Sequence, residues 1–159
     1  MTRPERVLSA LTNLQAEGVL DEVRPATYRS VLLKVSGDPI PKGRPRTTKT
    51  GHTYTPKRTK EYEAEIGGEW LKLRPSSRVP FVGGVRVLIQ VRERIHAADL
   101  DNYVKIALDA LNGLAWADDK QVEVLHATIE RGHPYPGLTI AIMARGPEGI
   151  QVTATEVRS

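Results

Sequence analysis

Val85-Arg-Val-Leu-Ile-Gln-Val91, Asp99-Leu-Asp-Asn-Tyr-Val-Lys-Ile-Ala-Leu-Asp-Ala-Leu-Asn112 and Gln121-Val-Glu-Val-Leu-His-Ala-Thr-Ile129 follow one another in the chain. The first alternates cleanly, with Val85, Val87, Ile89 and Val91 on one parity, the mark of a strand that is at least half-buried. The second repeats Leu100, Val104, Ala107, Leu108 and Leu111 at helical spacing, with Asp99 where a cap belongs. The third is apolar at both parities, as an interior strand is. Strand, helix, strand: a sheet with a helix laid on it.

Working outward, Gly132-His-Pro-Tyr-Pro-Gly137 reads as a turn and Leu138 to Met143 as a closing strand. Upstream, Ser30 to Ser36 places Val31, Leu33 and Val35 on one face of a first strand. Thr55-Pro56 opens a second helix whose buried stripe is Tyr62, Ile66, Trp70 and Leu73 and which Pro75 ends. Gly67-Gly68 inside it costs about 1 kcal/mol per glycine relative to alanine, which predicts a close helix–sheet approach or a kink. At the N-terminus, Thr2-Arg-Pro-Glu5 resembles a capping box, and Val7, Leu8, Leu11 and Leu14 make an amphipathic helix that Gly18 stops. The tail from Gly146 carries no pattern. The expected architecture is α+β: one domain at residues 28–146, a mixed sheet packed with helices. A helical extension at 1–27 precedes it and a loose tail at 147–159 follows.

The chain of 159 residues has no cysteine, so no disulfide framework or thiolate metal site is available. No apolar run approaches the roughly 18 residues of a membrane span, and no leader pattern opens the chain. A cytoplasmic protein is expected. The net charge of +4 is modest but unevenly spread. Lys42, Arg44, Arg46, Lys49, Lys57, Arg58 and Lys60 fall in one stretch without an acid, whereas Glu93 to Glu130 holds eight acids against three bases. Three prolines between Gly37 and Arg46 stiffen the start of this basic limb, and arginine forks match phosphate oxygens. A basic limb beside an acidic centre suits a protein that grips a polyanion, although a solvated basic loop would read the same way.

The acids have two readings. Asp99 is a natural cap, Asp101 suits the positive end of the helix dipole and pairs with Lys105 at i,i+4, and Asp118-Asp119 is routine turn chemistry. Equally, carboxylates at element ends are how a chain holds a hard divalent cation. Asp99 outside the helix and Asp101 in its first turn can converge. A strand starting at Gln121 and running beside the helix would bring Asp119 to the same end. The residues alone leave both readings open. His52, His96, His126 and His133 show no ligand spacing.

Asp99-Leu-Asp101-Asn102 with Lys105, then Asp109-Ala-Leu, then Trp116-x-Asp118-Asp119-x-Gln121-Val, resembles the RusA-like Holliday junction resolvases. Gly37-x-Pro-x-Pro-Lys-Gly-Arg-Pro-Arg46 and Tyr54-Thr-Pro56 are similar to that family's basic segment. The resemblance spans about Val31 to Met143 and leaves the N-terminal helix outside. It implies a Mg²⁺-dependent (or Mn²⁺-dependent) endodeoxyribonuclease, homodimeric, that resolves four-way DNA junctions by paired symmetric nicks in recombination and repair. Asp99, Asp101 and Asp119 are then the metal ligands and Lys105 a further catalytic residue. Asn102 and Asp109 are supporting candidates and Asp118 a weaker ligand. Lys42, Arg44, Arg46, Lys49, Lys57 and Arg58 are the DNA contacts. Glu130-Arg131 stands where the family often has a lysine, which leaves Arg131 as a candidate phosphate contact. A less selective branched-DNA nuclease and a non-catalytic DNA-binding module are the alternatives.

Overall fold

Residues 29–144 are described by the computed structural model, so the expected N-terminal helix and the tail lie outside the described residues. Four long strands, β1 (Ser30–Ser36), β4 (Val85–Glu93), β5 (Val122–Arg131) and β6 (Gly137–Ala144), form one mixed sheet in the order β1-β6-β4-β5. Two short strands, β2 (Arg46–Thr47) and β3 (Thr53–Tyr54), pair as a separate ribbon. Helices α1 (Lys57–Leu71) and α2 (Leu100–Leu111) complete the α+β domain. β4 and β5 are parallel, and every other pair in the main sheet is antiparallel.

The register explains the core. Leu33, Ile140, Ile89 and Ala127 stand in one row across the sheet, with Val31, Ile142, Val87 and Leu125 on one side and Val35, Leu138, Val91 and Ile129 on the other. α1 and α2 cover this face through Tyr62, Ile66, Trp70, Tyr103, Ile106, Ala107 and Leu111, all buried. Each fully buried aliphatic side chain contributes about 1.5–3 kcal/mol relative to exposure. The stripe expected on α1 is the one that is buried.

Four expectations are corrected. β5 is an edge strand, whereas β6, the last in sequence, lies inside the sheet between β1 and β4. Both parities of β5 are apolar, yet Val124 and Leu125 are exposed. The face α2 buries is turned from the expected stripe: Tyr103, Ile106, Ala107, Ala110 and Leu111 are buried, while Leu100, Val104 and Leu108 are only half-covered. Gly67 marks a helix–helix approach, because a Cβ there would meet Leu114 Cδ1 at 3.1 Å and the Ala110 carbonyl oxygen at 3.7 Å. Helix α1 also stops at Leu71, before Pro75 is reached.

The two glycines therefore separate in their response to alanine. Gly68 opens onto free space, so Gly68→Ala should raise the unfolding free energy by about 0.5–1 kcal/mol through helix propensity alone. Gly67→Ala, which must push Leu114, should gain less or lose. Paired chemical denaturation curves measure the difference.

Candidate functional site

At one end of the β4–α2–β5 unit, β4 finishes on Glu93, a carboxylate 2% exposed. Tyr103 Oη donates to Glu93 Oε2 at 2.6 Å and the Ala97 N–H donates to the same oxygen at 3.3 Å. Arg131, Glu93's register partner on β5, pairs with its other oxygen and donates to the Ala98 carbonyl at 3.1 Å. Burial alone would push this carboxyl up, but the Tyr103 hydroxyl, the Ala97 N–H and the Arg131 guanidinium together hold it below the ordinary range. Burial and the Glu93 charge both raise the Tyr103 hydroxyl, so it stays a donor. The loop into α2 is thus clamped at Ala97 and Ala98, immediately before Asp99.

Asp99 caps α2 in extended geometry (φ −77°, ψ 151°), but its side chain makes no capping bond. Asp101 and Lys105 are exposed, and the expected i,i+4 pair between them is not formed. Two carboxylates and an ammonium are therefore left without a polar partner among the described residues. Of the ordinary structural roles open to them, Asp101 keeps only its place in the first turn against the helix dipole; the cap bond and the ion pair are not made.

The Asp-Asp turn divides its labour. Asp118 accepts from the Lys120 N–H at 2.8 Å and forms a capping box with Gln121 over the short 3-10 turn at Asp119–Gln121. Gln121 Nε2 donates to the Phe81 and Gly83 carbonyls at 2.8 and 2.9 Å, tying the turn to the segment before β4. Asp119 Oδ1 accepts from the indole N–H of fully buried Trp116 at 2.7 Å, which orients the half-buried carboxylate.

Asp119 does not come to the Asp99 end. Because β4 and β5 are parallel, α2 runs back along them. The Asp99–Asp101 end adjoins Glu93 and Arg131, whereas the Asp119–Gln121 turn is tied through Gln121 to Phe81 and Gly83, before β4 begins. The 12 residues of α2 alone put about 18 Å between these ends. Accordingly, among the described residues no three His, Asp or Glu side chains converge as a metal-binding group.

The basic limb divides as well. Lys42 pairs with Glu63 on α1 at 2.5 Å and Asp109 on α2 at 2.6 Å, and its N–H donates to the Asn102 carbonyl at 3.0 Å. Burial opposes its charge, but bonds to Asp109 and Glu63 outweigh that and raise its pKa. Lys42 is a structural tie between helices, with its ammonium satisfied internally, and Asp109 is its anchor. Arg131 is likewise committed to Glu93. Arg44, Arg46 and Lys49 are exposed on and beside the β2–β3 ribbon, where Gly51 adopts φ +82° to close the turn. Lys57 and Arg58 are exposed at the start of α1; the Lys57–Glu61 pair at 3.4 Å is solvent-screened and worth little. Gly43 lets the limb lie against α1, since a Cβ there would meet Thr59 Oγ1 at 2.8 Å.

Glu93, Tyr103, Trp116 and Gln121 carry the site's scaffolding; Trp116 and Gln121 stand in the family pattern, whereas Glu93 and Tyr103 were not singled out by residue type. A lone glutamate closing an alternating apolar strand was the available sign for Glu93. A family model described as endodeoxyribonuclease RusA matches residues 36–143, more than half of the chain, and takes in both ends of the site and the limb. No curated protein matches the chain.

Replacing Glu93 by glutamine removes the charge that Arg131 and the Tyr103 hydroxyl bond to; with Arg131 one-third exposed to solvent, the loss amounts to about 1–3 kcal/mol. The folded carboxyl lies below its ordinary value near 4.5, so its contribution is present above that pH and is lost as pH falls through the folded value. Thermal melts from pH 7 to 3 should show wild type losing stability below about pH 4.5 more steeply than Glu93→Gln.

Proposed function

We propose that this chain, which belongs to the RusA endodeoxyribonuclease family, is a Mg²⁺-dependent or Mn²⁺-dependent nuclease that resolves four-way DNA junctions by paired symmetric nicks in recombination and repair. The observation that carries this reading is the unspent chemistry at the start of α2: Asp99 makes no capping bond and Asp101 makes no ion pair, inside the span of the family match. Hard carboxylate oxygens without a hydrogen-bond or ion-pair partner suit a divalent cation, as does Asp119 held by one oxygen through Trp116. Asp99, Asp101 and Asp119 would hold the metal, and the chemistry a bound ion supplies is polarisation of the scissile phosphate and activation of water.

The residues' own parts follow from their placement. Lys105, one turn beyond Asp101, offsets charge on the transferring phosphate. The Glu93 clamp holds the loop that presents Asp99. Arg44, Arg46, Lys49, Lys57 and Arg58 grip backbone phosphates irrespective of sequence. Since one protomer keeps Asp119 at the far end of α2 from Asp99 and Asp101, the three ligands meet only if Asp119 comes from a second copy. Two cuts of opposed strands also require two sites, and a C2 dimer supplies both conditions.

The test uses a labelled four-way junction and a matched linear duplex with Mg²⁺. Wild type should cut the junction, and Asp101→Asn and Asp119→Asn should each be inert. After subunit exchange, the mixture of those two variants should recover about a quarter of wild-type nicking, because half of random pairs are heterodimers with one intact site each. A mixture as dead as its parts would refute the shared site. Equal cutting of duplex and junction would leave a nuclease without junction selectivity, and wild type that binds without cutting would leave a DNA-binding module. Independently, Arg44→Ala with Arg46→Ala should lower junction affinity and flatten its salt dependence by about two counterions; an unchanged slope would remove the ribbon from the DNA interface.

A further inference from the structure

The main sheet has two faces, and α1 and α2 cover one of them. On the other parity of the same register, Leu32, Ala141 and Leu88 form a row, and Met143 stands beside Arg86 in the next row toward the start of β1. Leu88, Ala141 and Met143 are 6%, 3% and 2% accessible, yet none belongs to the core that the helices cover. Side chains stand roughly perpendicular to a sheet, so neighbours in a row flank a methionine or leucine and leave its tip open. Tips closed to this degree lie beneath something. No described helix or strand is there: both helices pack on the opposite face, and the basic limb is tied to them through Lys42 and Gly43.

We infer that the chain's own residues 1–28 supply the cover, with the apolar stripe Val7, Leu8, Leu11 and Leu14 laid across the rows of Ala141 and Met143. Four observations select this occupant. The segment joins the domain at Arg29, whose carbonyl accepts from the Ala144 N–H at 3.0 Å, so it arrives at the Met143 end of the face. The face is graded to match: apolar at that end, and polar beyond it, where Lys34, Thr139, Gln90 and Arg92 stand. Length fits as well. A helix over residues 3–17 is about 22 Å long, against roughly 14–19 Å for four strands side by side, and residues 18–28 can span up to about 36 Å on the return. Charge agrees, since Glu17, Asp21 and Glu22 follow one another without a base between them, and the face presents Arg86, Lys34 and Arg92. Residues 145–159 leave from the same corner but open on Gly146-Pro-Glu-Gly149 and carry no comparable stripe.

The segment lies outside the family match, which begins at residue 36, and its docking takes nothing from the nuclease reading. The test is thiol protection in the full chain, which has no cysteine of its own. Ala141→Cys reports the docked face, and Ile140→Cys, buried on the helix side, reports the core. Ala141→Cys should react slowly with excess iodoacetamide. Adding Leu8→Asp and Leu11→Asp should speed that reaction about tenfold or more while Ile140→Cys stays protected, and adding Ile150→Asp and Val152→Asp should leave it unchanged. A second measurement keeps the stripe free of added charge: a short bismaleimide should link Leu11→Cys to Leu32→Cys or His126→Cys within one chain, and not to Tyr54→Cys on the ribbon. Rapid labelling of Ala141→Cys in the otherwise unaltered chain would overturn the docking. So would release by the tail substitutions instead of the N-terminal ones, or linkage to Tyr54→Cys alone. Protection that falls on dilution from about 100 to about 1 μM would give the face to a second copy and sink the proposal equally.

Discussion

The parallel pairing of β4 with β5 constrains everything else in this molecule. Parallel neighbours cannot be joined by a tight turn; the chain must return along the sheet before starting the second strand. Here α2 is that return, and the residues before and after it are delivered to opposite ends. Asp99 and Asp101 belong to the departing end, Asp118 and Asp119 to the arriving one. Carboxylates adjacent in a sequence pattern become distant in space. The same crossover leaves β5 at the edge with one flank of α2 beside it, while the other flank is occupied by α1.

The polar interior is organised around that crossover. A carboxylate as buried as Glu93 is costly unless each oxygen is satisfied. It is satisfied by groups from three places: Tyr103 in α2, Ala97 in the connecting loop and Arg131 on the neighbouring strand. The cost of burial is thereby turned into a positional constraint, since the loop cannot shift without breaking bonds to a desolvated charge. At the other end the same work is done by neutral groups. Gln121 spans to Phe81 and Gly83, and Trp116 holds Asp119. Each end of α2 is thus fixed to the sheet by its own side-chain device, one ionic and one amide.

Much of the fold was legible because period and burial coincide locally. Val31, Leu33 and Val35, the stripe from Tyr62 to Leu73, and the alternation through β4 are buried as their spacing requires. What was not legible is relational. β6 sits inside the sheet and β5 at its edge, though both read as apolar strands, because strand order depends on pairings that local sequence does not record. On α2 the apolar residues span two stripes, and spacing cannot say which one the core takes. For the site, the residue types and the family pattern could be read, but the direction of the crossover could not, and it separates Asp119 from Asp101. Lys42 illustrates the complementary gap. It sits in a basic run, yet its ammonium is satisfied by Glu63 and Asp109, acids 21 and 67 residues away that no local window contains.

Lys42 has one more consequence. Its main-chain N–H is bonded to α2 at Asn102, its ammonium reaches α2 again at Asp109 and α1 at Glu63, and Gly43 beyond it rests on Thr59. The root of the basic limb is welded to both helices, with a proline before it and only a few residues between it and the ribbon. Such a root behaves as a short stiff cantilever. A load applied at Arg44 or Arg46 is carried into the bodies of α1 and α2 instead of being absorbed as slack in a loop, so the helix that presents Asp101 and Lys105 shares a rigid frame with the limb that takes the strain.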